Sequence, residues 1–221
     1  MRNYRIIDIS MYLDGFVFDA AQCIELEGPF NRVPGSNPEF VYDIKLCTQS
    51  GTHIQGPHYF LEDGQAIDEF PLDCFESDAF VVDMPKRGED MTCEELKLVV
   101  DGIDLRGKAV LFRTGHMEEL VEGKALESHS RPGLSLAAAK YLVEEKGVKM
   151  LGIDSVGFES RVTKNYEVNV YLCQNKILLL EGLVNLHSLK KDWVFVEAFP
   201  LKLAKVEGTP CRAIAKEFSE L

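Results

Sequence analysis

Residues 50–60 read Ser-Gly-Thr-His-Ile-Gln-Gly-Pro-His-Tyr-Phe. The chain has five histidines, and two of them, His53 and His58, fall within this stretch. Histidine is the commonest neutral metal ligand and the commonest general acid or base near pH 7. Gly51 permits a tight backbone there, and Pro57 fixes the path by which the chain leaves. On residue types alone the stretch reads equally well as a reactive centre or as a loop carrying surface histidines.

The flanks supply the scaffold. Residues 4–10 are short and β-branched and predict a first strand. Residues 11–39 hold Gly15, Gly28, Pro29, Pro34, Gly35, Asn37 and Pro38 and predict a long irregular segment. Residues 40–47 alternate loosely and predict a strand leading into residues 50–60. Compact apolar runs predict buried strands at 79–84 and 109–114; further strands follow at 150–154, 177–180 and 193–199, with an edge strand at 212–215. Thr92, with Glu95 three residues on, forms a capping-box pattern for a helix to about Asp101. Ser135 caps a second helix over 136–146, which Gly147 ends. Strands and helices interleave, so the class is α/β. Strands outnumber helices, which favours a mixed, barrel-like sheet with outer helices over a doubly wound one.

The chain of 221 residues suits a single domain, 1–221, and contains 24 Lys and Arg against 36 Asp and Glu, a formal net charge of -12. Such a surface repels phosphate backbones and anionic lipid, which argues against nucleic-acid and membrane partners. The cysteines at 23, 47, 74, 93, 173 and 211 form no C-x-x-C pair, which argues against a zinc ribbon. The first residues, MRNYRIIDIS, carry charges where a signal peptide needs an apolar run, and no stretch has the ~18 apolar residues of a membrane span. A cytoplasmic protein with reduced cysteines is expected.

The stretch also resembles a known signature. Gln49-Ser50-Gly51-Thr52-His53-Ile54-Gln55-Gly56-Pro57-His58-Tyr59 is similar to H-x-G-T-H-x-D-x-P-x-H of the Putative cyclase family, which includes bacterial kynurenine formamidase (arylformamidase) and isatin hydrolase. Further matches follow in the same order along the chain: IDIS at 7–10, HYFLEDGQAIDEFPLDCF after the signature, VLFRTGH, RPGLSLAAAKYLVEEKGVKMLGID and ILLLEGLVNL. The resemblance implies a swivelling β/β/α-type cyclase fold, a homodimer whose partner chain helps form or close the pocket, a small-molecule substrate, and a zinc or manganese ion that activates water.

Carried over residue by residue, the resemblance puts six metal-ligand positions at Gln49, His53, Gln55, Tyr59, Asn169 and Glu181. Only His53 and Glu181 keep a ligand type. Amides bind transition metals weakly, and loss of the aspartate removes charge that would offset a divalent cation. No metal is expected in the family geometry; a rearranged zinc or manganese site would use His53, His58 and Glu181, or His116 in place of His58. Three of the replacements are amides, which keep hydrogen-bonding capacity without ionising. This suggests a polar pocket rebuilt for acid–base work by His53 and Glu181. Gln49, Thr52, Gln55, His58, Tyr59 and Asn169 would then bind a polar, planar amide, lactam or related carbonyl substrate. The competing readings are a metal amidohydrolase with rearranged ligands and a non-catalytic ligand-binding protein. Outside this set, Arg113 is expected to pair with an acid, His129 and His187 to lie at the surface, His116 to wall the pocket or act as a base, and Phe16, Phe18 and Phe30 to close over a planar ligand.

Overall fold

The computed structural model describes residues 3–13, 17–18, 21–22, 24–30, 33, 35, 40–121 and 130–219. The strands are β1 (Tyr4–Asp8), β2 (Val17–Phe18), β3 (Ala21–Gln22), β4 (Ile24–Phe30), β5 (Val41–Leu46), β6 (His53–Gln55), β7 (Glu76–Asp83), β8 (Asp90–Met91), β9 (Ala109–Arg113), β10 (Gly133–Leu134), β11 (Met150–Ile153), β12 (Leu178–Glu181), β13 (Trp193–Pro200) and β14 (Gly208–Phe218). The α-helices are α1 (Cys93–Val100), α2 (His116–Val121), α3 (Leu136–Lys140), which runs on as a π-helical turn over Tyr141–Glu145, and α4 (Glu167–Gln174).

Seven strands form a closed barrel in the order β14, β13, β7, β9, β11, β12, β6, with β6 returning to β14; β1 lies outside the ring on β14. From β7 through β12 neighbouring strands are parallel, and the remaining pairings are antiparallel. The barrel is the mixed, barrel-like sheet that the excess of strands over helices predicts. A closed ring removes open sheet edges.

Period-two alternation then divides the apolar residues into two cores. Ile54, Ala79, Val81, Ala109, Leu111, Leu178, Leu180 and Val196 fill the barrel. Phe80, Val82, Val110, Phe112, Leu151 and Leu179 face outward and pack under Leu96, Val100, Ala138, Leu142, Val168 and Leu172 of the helices. The two caps read from sequence are present. Thr92 Oγ1 accepts from the Glu95 N–H while Glu95 Oε2 accepts from the Thr92 N–H, and Ser135 Oγ accepts from the Ala138 N–H.

Two expectations need correction. Residues 24–30 are a strand within the stretch read as irregular: Ile24-Glu25-Leu26-Glu27 alternates, and the surrounding glycines and prolines hide the signal. The strand pairs with β5 in a separate two-stranded ribbon. Residues 212–215 belong to the 11-residue β14, which pairs with β13, β6 and β1 and so closes the barrel. Its polar positions resemble an edge strand only because several of them face out. Among the described residues, no helix is long and apolar enough to cross a membrane, and the five described cysteines are unpaired.

Ile54 is fully buried on the closing strand, whereas Leu98 on α1 is 88% exposed. Ile54→Ala should lower the unfolding free energy by about 2–5 kcal/mol in urea denaturation. Leu98→Ala should change it by less than about 0.5 kcal/mol.

Candidate functional site

The same alternation that buries Ile54 turns its neighbours His53 and Gln55 to the outer face of the barrel. On β12, Leu178 and Leu180 point inward, so Glu181 points outward with Leu179. Register sets Glu181 directly opposite His53. Two strands distant in sequence thus bring His53, Gln55 and Glu181 onto one patch. His53 and Glu181 are 6% and 5% exposed, so the patch lies below the surface.

Backbone geometry fixes the histidine. Gly51 has φ +57°, and a Cβ there would come within 2.6 Å of Leu13 Cδ2, so the turn requires glycine. The turn brings the Gly51 carbonyl to His53 Nδ1 at 2.9 Å. A carbonyl only accepts, so Nδ1 carries the proton and Nε2 is left as the basic nitrogen. Nε2 lies 3.5 Å from Glu181 Oε2, within ion-pair range. Thr52 secures the same turn: its Oγ1 donates to the Gly182 carbonyl at 2.6 Å and accepts from the Met11 N–H at 2.8 Å.

Gln55 Nε2 donates to Glu181 Oε1 at 3.1 Å. The amide oxygen would repel the carboxylate, so the side chain has one orientation and its Oε1 faces away. Among the described residues, three buried atoms, His53 Nε2, Gln55 Oε1 and Asn169 Oδ1, have no hydrogen-bond partner. Asn169 sits in the first turn of α4, one helical turn before Cys173 and on the same face. The Cys173 thiol, pushed up to about 12 by burial, donates to the carbonyl of Gly56, next to Gln55. Gly157 lines the carboxylate. Its φ is +130°, and a Cβ there would stand 3.5 Å from both Glu181 oxygens, in space the glycine keeps open.

The other candidate residues are less central. Tyr59 is 40% exposed and meets Phe60 edge-on at 4.5 Å. Burial, and then the Glu181 carboxylate, hold its hydroxyl above the ordinary phenol value, so it keeps its proton. Gln49 Nε2 donates to Glu207 Oε1 at 3.0 Å. His58 is half-buried in the 3-10 turn Pro57–Tyr59. His116 is fully buried, with Nδ1 2.9 Å from Ser155 Oγ and Nε2 3.2 Å from Ser130 Oγ, so both ring nitrogens are engaged away from His53. Arg113 pairs with Asp83, as expected, and His187 is exposed and pairs with Glu118. Phe16 and His129 lie outside the described residues, as does the side chain of Phe18; Phe30 is half-buried at the end of the β4–β5 ribbon.

The donors do not fit the metal that the signature implies. Gln55 offers an N–H, Gln49 is held by Glu207, and Tyr59 keeps its proton. Only His53 Nε2 and the Glu181 carboxylate remain, where zinc commonly takes three protein ligands and a water. Among the described residues no group of three or more His, Cys, Asp or Glu could hold a metal ion, so His58 does not complete one with His53 and Glu181.

The comparisons agree with this architecture. The sequence profile of the family described as Putative cyclase matches residues 7–160. The chain belongs to this family. Cyclase-like protein 1 of Arabidopsis thaliana is 29% identical over 180 residues, 79% of this chain and 68% of its own length. Cyclase-like protein 2 of the same plant is 28% identical, and the match spans 63% of it. Isatin hydrolase A from Ralstonia solanacearum superposes with a TM-score of 0.84 at 20% identity, over 96% of this chain and 92% of that one. Isatin hydrolase A from Labrenzia aggregata, bound to benzyl benzoate, gives 0.82 at 21% identity, over 98% and 94%. At these identities the structural likeness concerns the fold. Within this cyclase fold, sequence reasoning passed over Gly157 and Glu207, which stand against Glu181 and Gln49 with nothing local to mark them.

Burial and the nearby Arg87 guanidinium lower the His116 pKa to about 4. An unfolded imidazole titrates near about 6.5. Between these values the unfolded chain holds the extra proton, so the stability from neutral His116 is full above about 6.5 and is lost toward pH 4. The stability advantage of wild type over His116→Gln should shrink by up to about 3 kcal/mol between pH 7 and pH 4, measured by chemical denaturation.

Proposed function

We propose that this cyclase-family chain is a hydrolase acting on an amide, lactam or related carbonyl substrate by metal-independent acid–base chemistry at His53 and Glu181. The observation that carries the reading is the set of three buried atoms without partners. One is a base, His53 Nε2, and two are acceptors, Gln55 Oε1 and Asn169 Oδ1. Buried polar atoms are nearly always satisfied, so this set asks for a ligand. Two acceptors beside a base suit a substrate with N–H groups next to a carbonyl.

In this reading His53 Nε2 removes a proton from the attacking water. The imidazolium that forms faces Glu181 Oε2, which stabilises it, while the Gly51 carbonyl keeps the ring oriented. Gln55 holds the carboxylate in place, and the proton returns from His53 to the leaving nitrogen. Thr52 positions the turn; Gln49, His58 and Tyr59 line the approach. The neighbouring isatin hydrolases, one bound to benzyl benzoate and one to thioisatinate, make flat aromatic carbonyl compounds the first substrates to try.

Chelator-treated protein should hydrolyse a member of a panel of aryl amides and lactams beginning with isatin, while elemental analysis finds less than about 0.1 zinc or manganese per chain. His53→Ala and Glu181→Gln should each lower kcat/KM by about 100-fold or more. Turnover that appears only with added metal would sink this reading, and so would binding of panel compounds with no conversion.

We also propose that the chain works as a homodimer joined through the β4–β5 ribbon. Leu26, Tyr42 and Ile44 stand 55%, 48% and 58% exposed on that ribbon, and a two-stranded ribbon is marginal without something to pack on. Light scattering should give twice the 24.9 kDa chain mass, and Leu26→Asp combined with Ile44→Asp should give the monomer mass.

A further inference from the structure

Arg131 is half-buried, and among the described residues its guanidinium forms no ion pair with a carboxylate. Its hydrogen bonds run from Nη1 to the Glu159 carbonyl at 2.7 Å and the Pro132 carbonyl at 3.4 Å. Of the three nearby carboxylates, Glu181 accepts from Gln55, and Glu159 and Asp90 are committed to backbone and hydroxyl groups. Glu159 Oε1 accepts from Thr163 Oγ1 at 2.6 Å and Oε2 from the Asn169 N–H at 3.0 Å, which caps α4. Asp90 Oδ2 accepts from Ser160 Oγ at 2.5 Å and Oδ1 from the Arg161 N–H at 2.6 Å. The carbonyl that holds Arg131 is two residues from Gly157, which lines the Glu181 carboxylate. The guanidinium is therefore anchored by one nitrogen to the segment that walls the site.

A charge removed from water without a counter-charge is costly unless something pairs with it in the working state. Burial, and then the neighbouring Arg161, hold the Arg131 guanidinium below its ordinary value against the pull of Glu159, Glu181 and Asp90. In a chain of net charge -12, an anionic ligand needs a dedicated cation of this kind.

We propose that Arg131 is a specificity-determining residue that binds an anionic oxygen, a carboxylate of the substrate or of its product, beside His53 and Glu181. The inference rests on the functional reading of that site. A guanidinium offers paired N–H groups in the plane that a carboxylate accepts.

The test is an NMR titration with benzoate and benzamide, a matched pair differing in charge, following the His53 ring resonances. Wild type should bind benzoate about tenfold more tightly than benzamide, the size of one charge-assisted hydrogen bond. Arg131→Gln should bring the ratio to about one while leaving benzamide affinity within about twofold, and Arg131→Lys should keep part of the preference. Equal wild-type affinities overturn the proposal without any variant, as does a preference that survives in Arg131→Gln. If benzamide moves the His53 resonances and benzoate is not preferred, the anion site falls and the site reading stands. If neither compound moves them, both fall.

Discussion

The structure turns on a strand of three residues. β6 is hydrogen-bonded on one side to β12 and on the other to β14, and it is the last link that makes seven strands a ring. Its middle residue, Ile54, must enter the barrel core. The pleat then leaves His53 and Gln55 no choice but to face outward. Closure of the barrel and placement of the site are thus one constraint, and a one-residue slip of β6 would turn the histidine into the barrel and the isoleucine out of it.

Around that strand the protein keeps a shape and changes its chemistry. Gly51, Thr52 and Pro57 hold the turn of the cyclase signature, and Glu181 meets His53 across the ladder as the barrel dictates. The positions between them carry amides and a phenol. A carboxylate at position 55 would repel Glu181 unless a cation lay between them. Glutamine there donates a hydrogen bond to Glu181, so the amide itself supplies what holds the patch together. The outcome is a buried patch organised by hydrogen bonds, with one ring nitrogen and two amide oxygens left without hydrogen-bond partners among the described residues.

Much of the fold was legible from residues alone. Apolar runs marked the barrel strands, and Thr92 and Ser135 announced their helices, because capping and alternation are local properties. The order of the motifs along the chain carried the family assignment. The misreadings have a common cause. Residues 24–30 and 208–218 take their strand character from partners far along the chain, and glycine, proline and polar positions obscured the local pattern. The site was legible in part for the same reason. His53 and Gln55 share a motif, and Glu181 came from collinear resemblance rather than from its apolar neighbours.

By itself the sequence determined which groups are available: one histidine in a constrained turn, three amides where ionisable ligands are expected, one acid in an apolar run. Only the tertiary structure decided which of these meet. It put Glu181 opposite His53 by register, engaged His116 with two serines, tied Gln49 to Glu207, and left His58 apart. It also tied one nitrogen of Arg131 to the Glu159 carbonyl, two residues from Gly157. The physical reason is that composition and spacing fix a residue's chemistry and local conformation. Protonation, pairing and accessibility belong to the surroundings, which here come from strands and loops more than 100 residues apart in the chain, as the Gln55–Glu181 bond across 126 positions illustrates.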